Sequence, residues 1–101
     1  MATMTMTEMT AERAATEIRR AYNTWTSQYG HDHNDGWMPV GTLAERVDLT
    51  HEQITDGVLH LARTDRQFDT SPQSYAGLRT ALDDEYAVWV GGQWKHLLTW
   101  S

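Results

Sequence analysis

Residues 37–68, WMPVGTLAERVDLTHEQITDGVLHLARTDRQF, constrain the fold most, because apolar spacing and capping signals agree there on one geometry. Pro39 suits a helix start, where its missing N–H would have no partner anyway. Val40, Leu43, Ala44 and Val47 recur at helical spacing and form one apolar face. Asp48-Leu49-Thr50 breaks the pattern, with Leu49 placed to plug the corner. Thr50 is an N-cap with Gln53 three residues on, the signature of a capping box. Ile54, Val58, Leu61 and Ala62 continue a second stripe, and Phe68 begins an extended segment. Two helices meeting at a corner, the second longer and better capped, make a helix-turn-helix. A strand directly after the second helix points to the winged form.

Around this motif the chain reads as one α+β domain over residues 10–101, with three N-terminal helices followed by a small antiparallel β wing. Residues 10–28 form the first helix, capped by Thr10, with Ala14, Ala15, Ile18, Ala21, Tyr22 and Trp25 as its stripe. Arg13, Arg19 and Arg20 lie toward its other side, with Glu12 and Glu17 as partners. Residues 1–9, rich in Thr and Met, carry neither the basic segment nor the apolar block of a secretory signal and read as a flexible tail. Trp37 and Met38 re-enter the core and can lay a short strand beside the wing. Residues 69–74 form a loop, and residues 75–82 can hold a helical turn.

Residues 82–92 carry two conflicting signals. Tyr86-Ala87-Val88-Trp89-Val90 favours a strand. Asp83 as N-cap, Asp84 and Glu85 in a first turn and Gly91-Gly92 as a stop favour a short helix. The helix is the expectation here, with a hairpin turning at Gly91-Gly92-Gln93 as the alternative. Residues 94–100 supply the last strand, paired with residues 66–70.

No cysteine is present, so disulfides, thiolate metal sites and thiol nucleophiles are excluded. That fits a cytoplasmic protein, and no apolar run approaches the ~20 residues of a membrane span. Net charge is −6, from 14 acids against 8 Lys plus Arg, whereas a nucleic-acid binder usually presents a basic face. His31, Asp32, His33 and Asp35 of GHDHNDG are metal-ligand types, but two glycines bracket residues that favour turns, and the loop reads as a polar connector without metal. No nucleophile elbow or phosphate loop is present, so neither an enzyme nor a cofactor is expected. Asp83-Asp84-Glu85 reads as helix capping, and His96 as a structural histidine with an acid of that triplet as partner.

The second half also resembles a group of small winged helix-turn-helix proteins of actinobacteria and their mobile elements, in the broad class of MarR-like regulators. The residues that carry the resemblance are Trp37, Leu43, Val47, Ile54, Leu61, Phe68, Pro72, Leu82, Ala87, Val88, Gly91, Gly92, His96, Leu97 and Leu98, about two thirds of the chain in extent. The Gly-Gly-x-x-x-His-Leu-Leu tail is its most specific part. The resemblance implies a winged helix fold and, from the MarR-like class, pairing through terminal helices into a homodimer.

Two functions are open on this reading. The first is a DNA-binding transcriptional regulator, with His51, Gln53, Thr55 and His60 facing the groove and Arg63, Arg66 and Lys95 on phosphates of double-stranded DNA. The alternative is an acidic protein-interaction module, an inhibitor or accessory factor of a phage, plasmid or other mobile element, binding a protein complex through Glu52, Asp56, Trp89 and Trp94. Five tryptophans exceed what so small a core can hide, which marks an exposed aromatic patch as a partner surface.

Overall fold

Helix α1 (Ala11–Tyr29) starts at Thr10, whose hydroxyl accepts the Arg13 N–H at 3.1 Å. The computed structural model describes residues 9–30 and 33–101; the expected tail therefore lies outside it, Met9 apart, as do His31 and Asp32. All six residues expected on the α1 stripe are buried. The helix stops at Gly30, which takes a positive φ of 85°. A 3-10 turn, His33–Gly36, follows, with Asn34 and Asp35 both left-handed. Asn34 tolerates that region because its side chain bonds locally, here by donating to the Trp37 carbonyl at 2.7 Å. The Gly36 carbonyl accepts from the hydroxyls of Tyr22 and Thr99, tying the turn to helix and sheet.

Strand β1 (Met38–Pro39) leads directly into α2 (Val40–Arg46). Pro39 does not open the helix as its first residue: it ends the strand in an extended conformation, and Val40 starts the helix. Leu49 is buried at the corner. Helix α3 (His51–Thr64) begins with the expected capping box, in which Thr50 and Gln53 each satisfy the other's backbone N–H.

Ile54, Val58 and Leu61 are buried on α3, but Ala62 is exposed, contrary to expectation. The inward position belongs instead to Gly57: three residues after Ile54 and four before Leu61, it lies on the stripe and is buried. A Cβ at Gly57 would meet Ile18 Cδ1 at 2.7 Å and the backbone of Ala15 and Ala14 at 3.0 and 3.1 Å. The close crossing of α1 and α3 thus depends on a missing side chain.

Strand β2 (Phe68–Ser71) and β5 (Leu97–Trp100) pair antiparallel, Phe68 opposite Trp100 and Ser71 opposite Leu97. β1 pairs on the other side of β5, Met38 opposite Leu98, giving the order β1-β5-β2. Met38, Phe68 and Leu98 face the core with the helix stripes. The final strand is shorter than expected because His96 interrupts it. The His96 N–H donates to the Ser71 carbonyl and its own carbonyl accepts from Val40, so the residue bridges both neighbours of β5.

Residues 72–96 hold more than the small β wing that was expected. They hold a 3-10 turn (Ala76–Leu78), helix α4 (Ala81–Glu85) and a hairpin of β3 (Val88–Val90) and β4 (Gln93–Lys95). Both conflicting signals are realised in succession. The helix is capped by Thr80 rather than Asp83, which occupies the third helical position of a capping box. It ends at Glu85, and the β-branched and aromatic run after it forms a strand, so the expected helix across residues 86–90 is corrected. Gly91 and Gly92, with φ of 61° and 83°, are the two left-handed residues of a tight hairpin turn rather than a helix stop.

Gly57→Ala is expected to lower stability by about 1–3 kcal/mol, the usual effect of overpacking a filled core, although alanine exceeds glycine in helix propensity by roughly 1 kcal/mol. Denaturant unfolding checks the sign: a stabilised variant would contradict the close crossing.

Candidate interaction surface

Helix α3 presents two different faces. Inward it packs on α1, and outward it offers Glu52 and Asp56 one turn apart, with no Lys or Arg before Arg63. Two of the residues expected to read bases are engaged within the chain. The His51 Nε2–H donates to the Ala87 carbonyl at 2.8 Å, and the ring meets Tyr86 edge-on at 5.7 Å. Gln53 has its side-chain oxygen on the Thr50 N–H. Thr55 is half-buried. His60 turns toward α1, lining a groove there with Arg19 and Asp65. Arg63 and Arg66 are exposed at and just beyond the helix C-terminus, and Lys95 sits half-buried on β4 opposite Val88.

The helix end is fastened by Asp65. Its carboxylate accepts the Trp100 indole N–H at 2.9 Å and the Gln67 backbone N–H at 3.0 Å. These two bonds, with Arg19 beside them, hold the carboxyl below its ordinary value of 3.8 against the opposing effect of burial. Arg19 also lies 4.7 Å over the Trp100 ring, a cation–π contact.

Residues 72–96 lie across the start of both α2 and α3. Asp83 Oδ1 accepts the Gly41 N–H at 2.8 Å and Oδ2 accepts the Thr80 N–H at 3.0 Å. Pro39 has no side-chain cap to offer α2, so Asp83 supplies that acceptor from 42 residues away. Gly41 has to lack a side chain, since a Cβ would stand 2.6 Å from the same carboxylate oxygen.

Next to this clamp, Arg79 donates from Nε to Asp84 at 2.7 Å and from Nη1 to the Gln73 carbonyl at 3.0 Å. His96 accepts the Gln73 N–H at Nδ1, which leaves its proton on Nε2, 3.9 Å from Asp84. The expected partner of His96 in the acidic triplet is thus Asp84, at ion-pair rather than hydrogen-bond distance. Burial of the ring, then the Arg79 charge, pushes the His96 pKa down, and Asp84 and Asp83 oppose them.

The hairpin displays the aromatic patch. Trp89 and Trp94 are directly opposed across it, each 52% exposed, with rings edge-to-face at 5.1 Å. Tyr75 and Leu78, 73% and 68% exposed, mark the 3-10 turn of the same segment. Sequence reasoning found the tryptophans by counting indoles but missed Tyr75 and Leu78, whose only signal is their place in a polar loop.

Among the described residues no cluster of three or more His, Asp or Glu is arranged to hold a metal, and no helix is long and apolar enough to cross a membrane. Asp35 is exposed in its left-handed turn.

A lowered histidine pKa makes stability pH-dependent in a known direction. Below the ordinary value of 6.5 the unfolded chain takes up a proton that the folded one resists. Stability attributable to His96 is therefore expected to fall as pH drops from 6.5 toward the folded pKa. Urea unfolding of wild type and His96→Gln across that range checks it, the variant showing the shallower pH dependence. Equal slopes would contradict the assignment.

No protein-family model, no curated protein and no solved structure matches this chain, so its own residues carry the case for a function.

Proposed function

We propose that the chain is a winged helix-turn-helix domain working as a protein-interaction module, with its partner docking on residues 72–96 and the outward face of α3. The element order α1, β1, α2, α3, β2, β5 and the sheet order β1-β5-β2 support the winged helix reading. In that reading residues 72–96 are an enlarged wing, folded back onto the helix pair.

One observation carries the interaction reading. Four of the five exposed large hydrophobic residues, Tyr75, Leu78, Trp89 and Trp94, lie on this one segment among the described residues. Large exposed aromatics beside a polar rim are the composition of a protein interface, where indoles are preferred anchors. The acids Glu52 and Asp56 point the same way, since they repel phosphate. The DNA-binding regulator is the second reading, supported by Arg63 and Arg66, which are exposed and suited to backbone phosphates.

Affinity capture from the source cell, with wild type and variants as bait, tests the proposal. Trp89→Ser, Trp94→Ser and the pair Glu52→Ala plus Asp56→Ala are expected to lose one and the same protein that wild type retains. Arg63→Ala and Arg66→Ala are expected to keep it. Capture that survives the tryptophan and acid changes but fails with the arginine changes would overturn the proposal.

A further inference from the structure

Between the hairpin base and α4 the surface opens into a cavity of about 440 Å³. Arg79, His51 of α3, Asp84 and Glu85 of α4, Ala87, Trp94 of the hairpin and His96 line it. We infer that this cavity receives a basic side chain, lysine or arginine, from the partner. The inference rests on the interaction reading and names the chemistry of its partner.

Three features of the lining select a cation. Trp94 supplies an indole, the ring that attracts cations most strongly, held in place by its edge-to-face contact with Trp89. Arg79, the one cation in the lining, is already matched by Asp84 and by the Gln73 carbonyl. Glu85, by contrast, is exposed and makes no ion pair among the described residues. The lining thus keeps one uncompensated carboxylate beside an aromatic wall. A partner ammonium or guanidinium finds there both a counter-charge and a ring, whereas an anion would meet Glu85.

Charge complementarity extends outward. The helix that contributes His51 also presents Glu52 and Asp56 to solvent, and the chain carries a net charge of −6. A second copy of this acidic chain would bring like charges together on that face. A basic segment would be drawn to it, faster at low ionic strength than at high.

The test uses the full chain, isotopically labelled, titrated with a short alternating Lys–Ala peptide and with a Glu–Ala peptide of equal length. The Lys–Ala peptide is expected to shift the Trp94 indole N–H and the Glu85 amide saturably, and the Glu–Ala peptide to shift neither. Glu85→Gln and Trp94→Leu are each expected to weaken binding about tenfold, while Glu45→Gln, on α2, leaves it unchanged. Shifts spread over every acidic surface, with Glu85→Gln no worse than Glu45→Gln, would overturn the inference. So would a concentration-dependent dimer that Trp94→Leu converts to monomer, since a second copy would then fill the site.

The two readings fail separately. Loss of the captured partner with Trp89→Ser but not with Glu85→Gln, together with a silent Lys–Ala peptide, rejects the cation site and leaves the interaction module standing. Retention of the partner by all these variants rejects both.

Discussion

The Asp83 carboxylate accepts from the starts of two helices at once, Gly41 of α2 through one oxygen and Thr80 ahead of α4 through the other. It is only 5% exposed, and a buried charge is tolerated where N–H groups and helix N-termini surround it. Each of these bonds is a helix cap worth roughly 1 kcal/mol. Without the carboxylate, the buried Gly41 N–H would lose its acceptor, a penalty of about 1–3 kcal/mol. The position of α4 follows from this clamp, and with it the hairpin that carries Trp89 and Trp94. Beneath it, the close crossing of α1 and α3 at Gly57 sets the floor on which α2 and the sheet rest.

The clamp has a consequence for function. By holding residues 72–96 across the helix pair, it brings the hairpin base against the first turn of α3, where His51 bonds to Ala87. Were α3 a DNA recognition helix, that turn would be the part to reach base edges. Here it meets Tyr86 and Ala87 of the same chain, and the outward residues that follow, Glu52 and Asp56, are acidic. The same fold-back presents Trp89 and Trp94 on the two paired strands of the hairpin, each half exposed. On the proposed reading, a surface with the aromatic residues on one element and the acids on its neighbour suits a partner that is both apolar and basic.

The helix pair α2 and α3 and the corner between them were legible in the sequence because their signals are local. The capping box at Thr50, the plug at Leu49 and the stripes through Leu43, Ile54 and Leu61 each involve residues within a few positions of one another. Gly57 was not legible as a core position, since a glycine leaves no hydrophobic mark in a periodic pattern even when packing requires it. Residues 82–92 were misread because a capped helix and a strand follow one another within a few residues, and the Gly-Gly pair serves as well for a hairpin as for a helix stop. Asp83 looked like a local cap. Its bond to Gly41 spans 42 residues, and no spacing rule reports such a contact. The tryptophan patch was legible as a surplus of indoles, with Trp89 and Trp94 named for it; that the two stand directly opposite each other depended on the hairpin register.

The central claim, that this surface is built for a protein rather than for DNA, is tested most directly by duplex binding at low salt. At about 50 mM the electrostatic contribution of phosphate contacts is strong and sequence-independent. Fluorescence anisotropy of a labelled duplex titrated with the full chain is expected to show no saturable binding under those conditions. Saturable binding that weakens steeply with added salt, with a log–log slope that Arg63→Ala flattens by about one unit, would contradict the account.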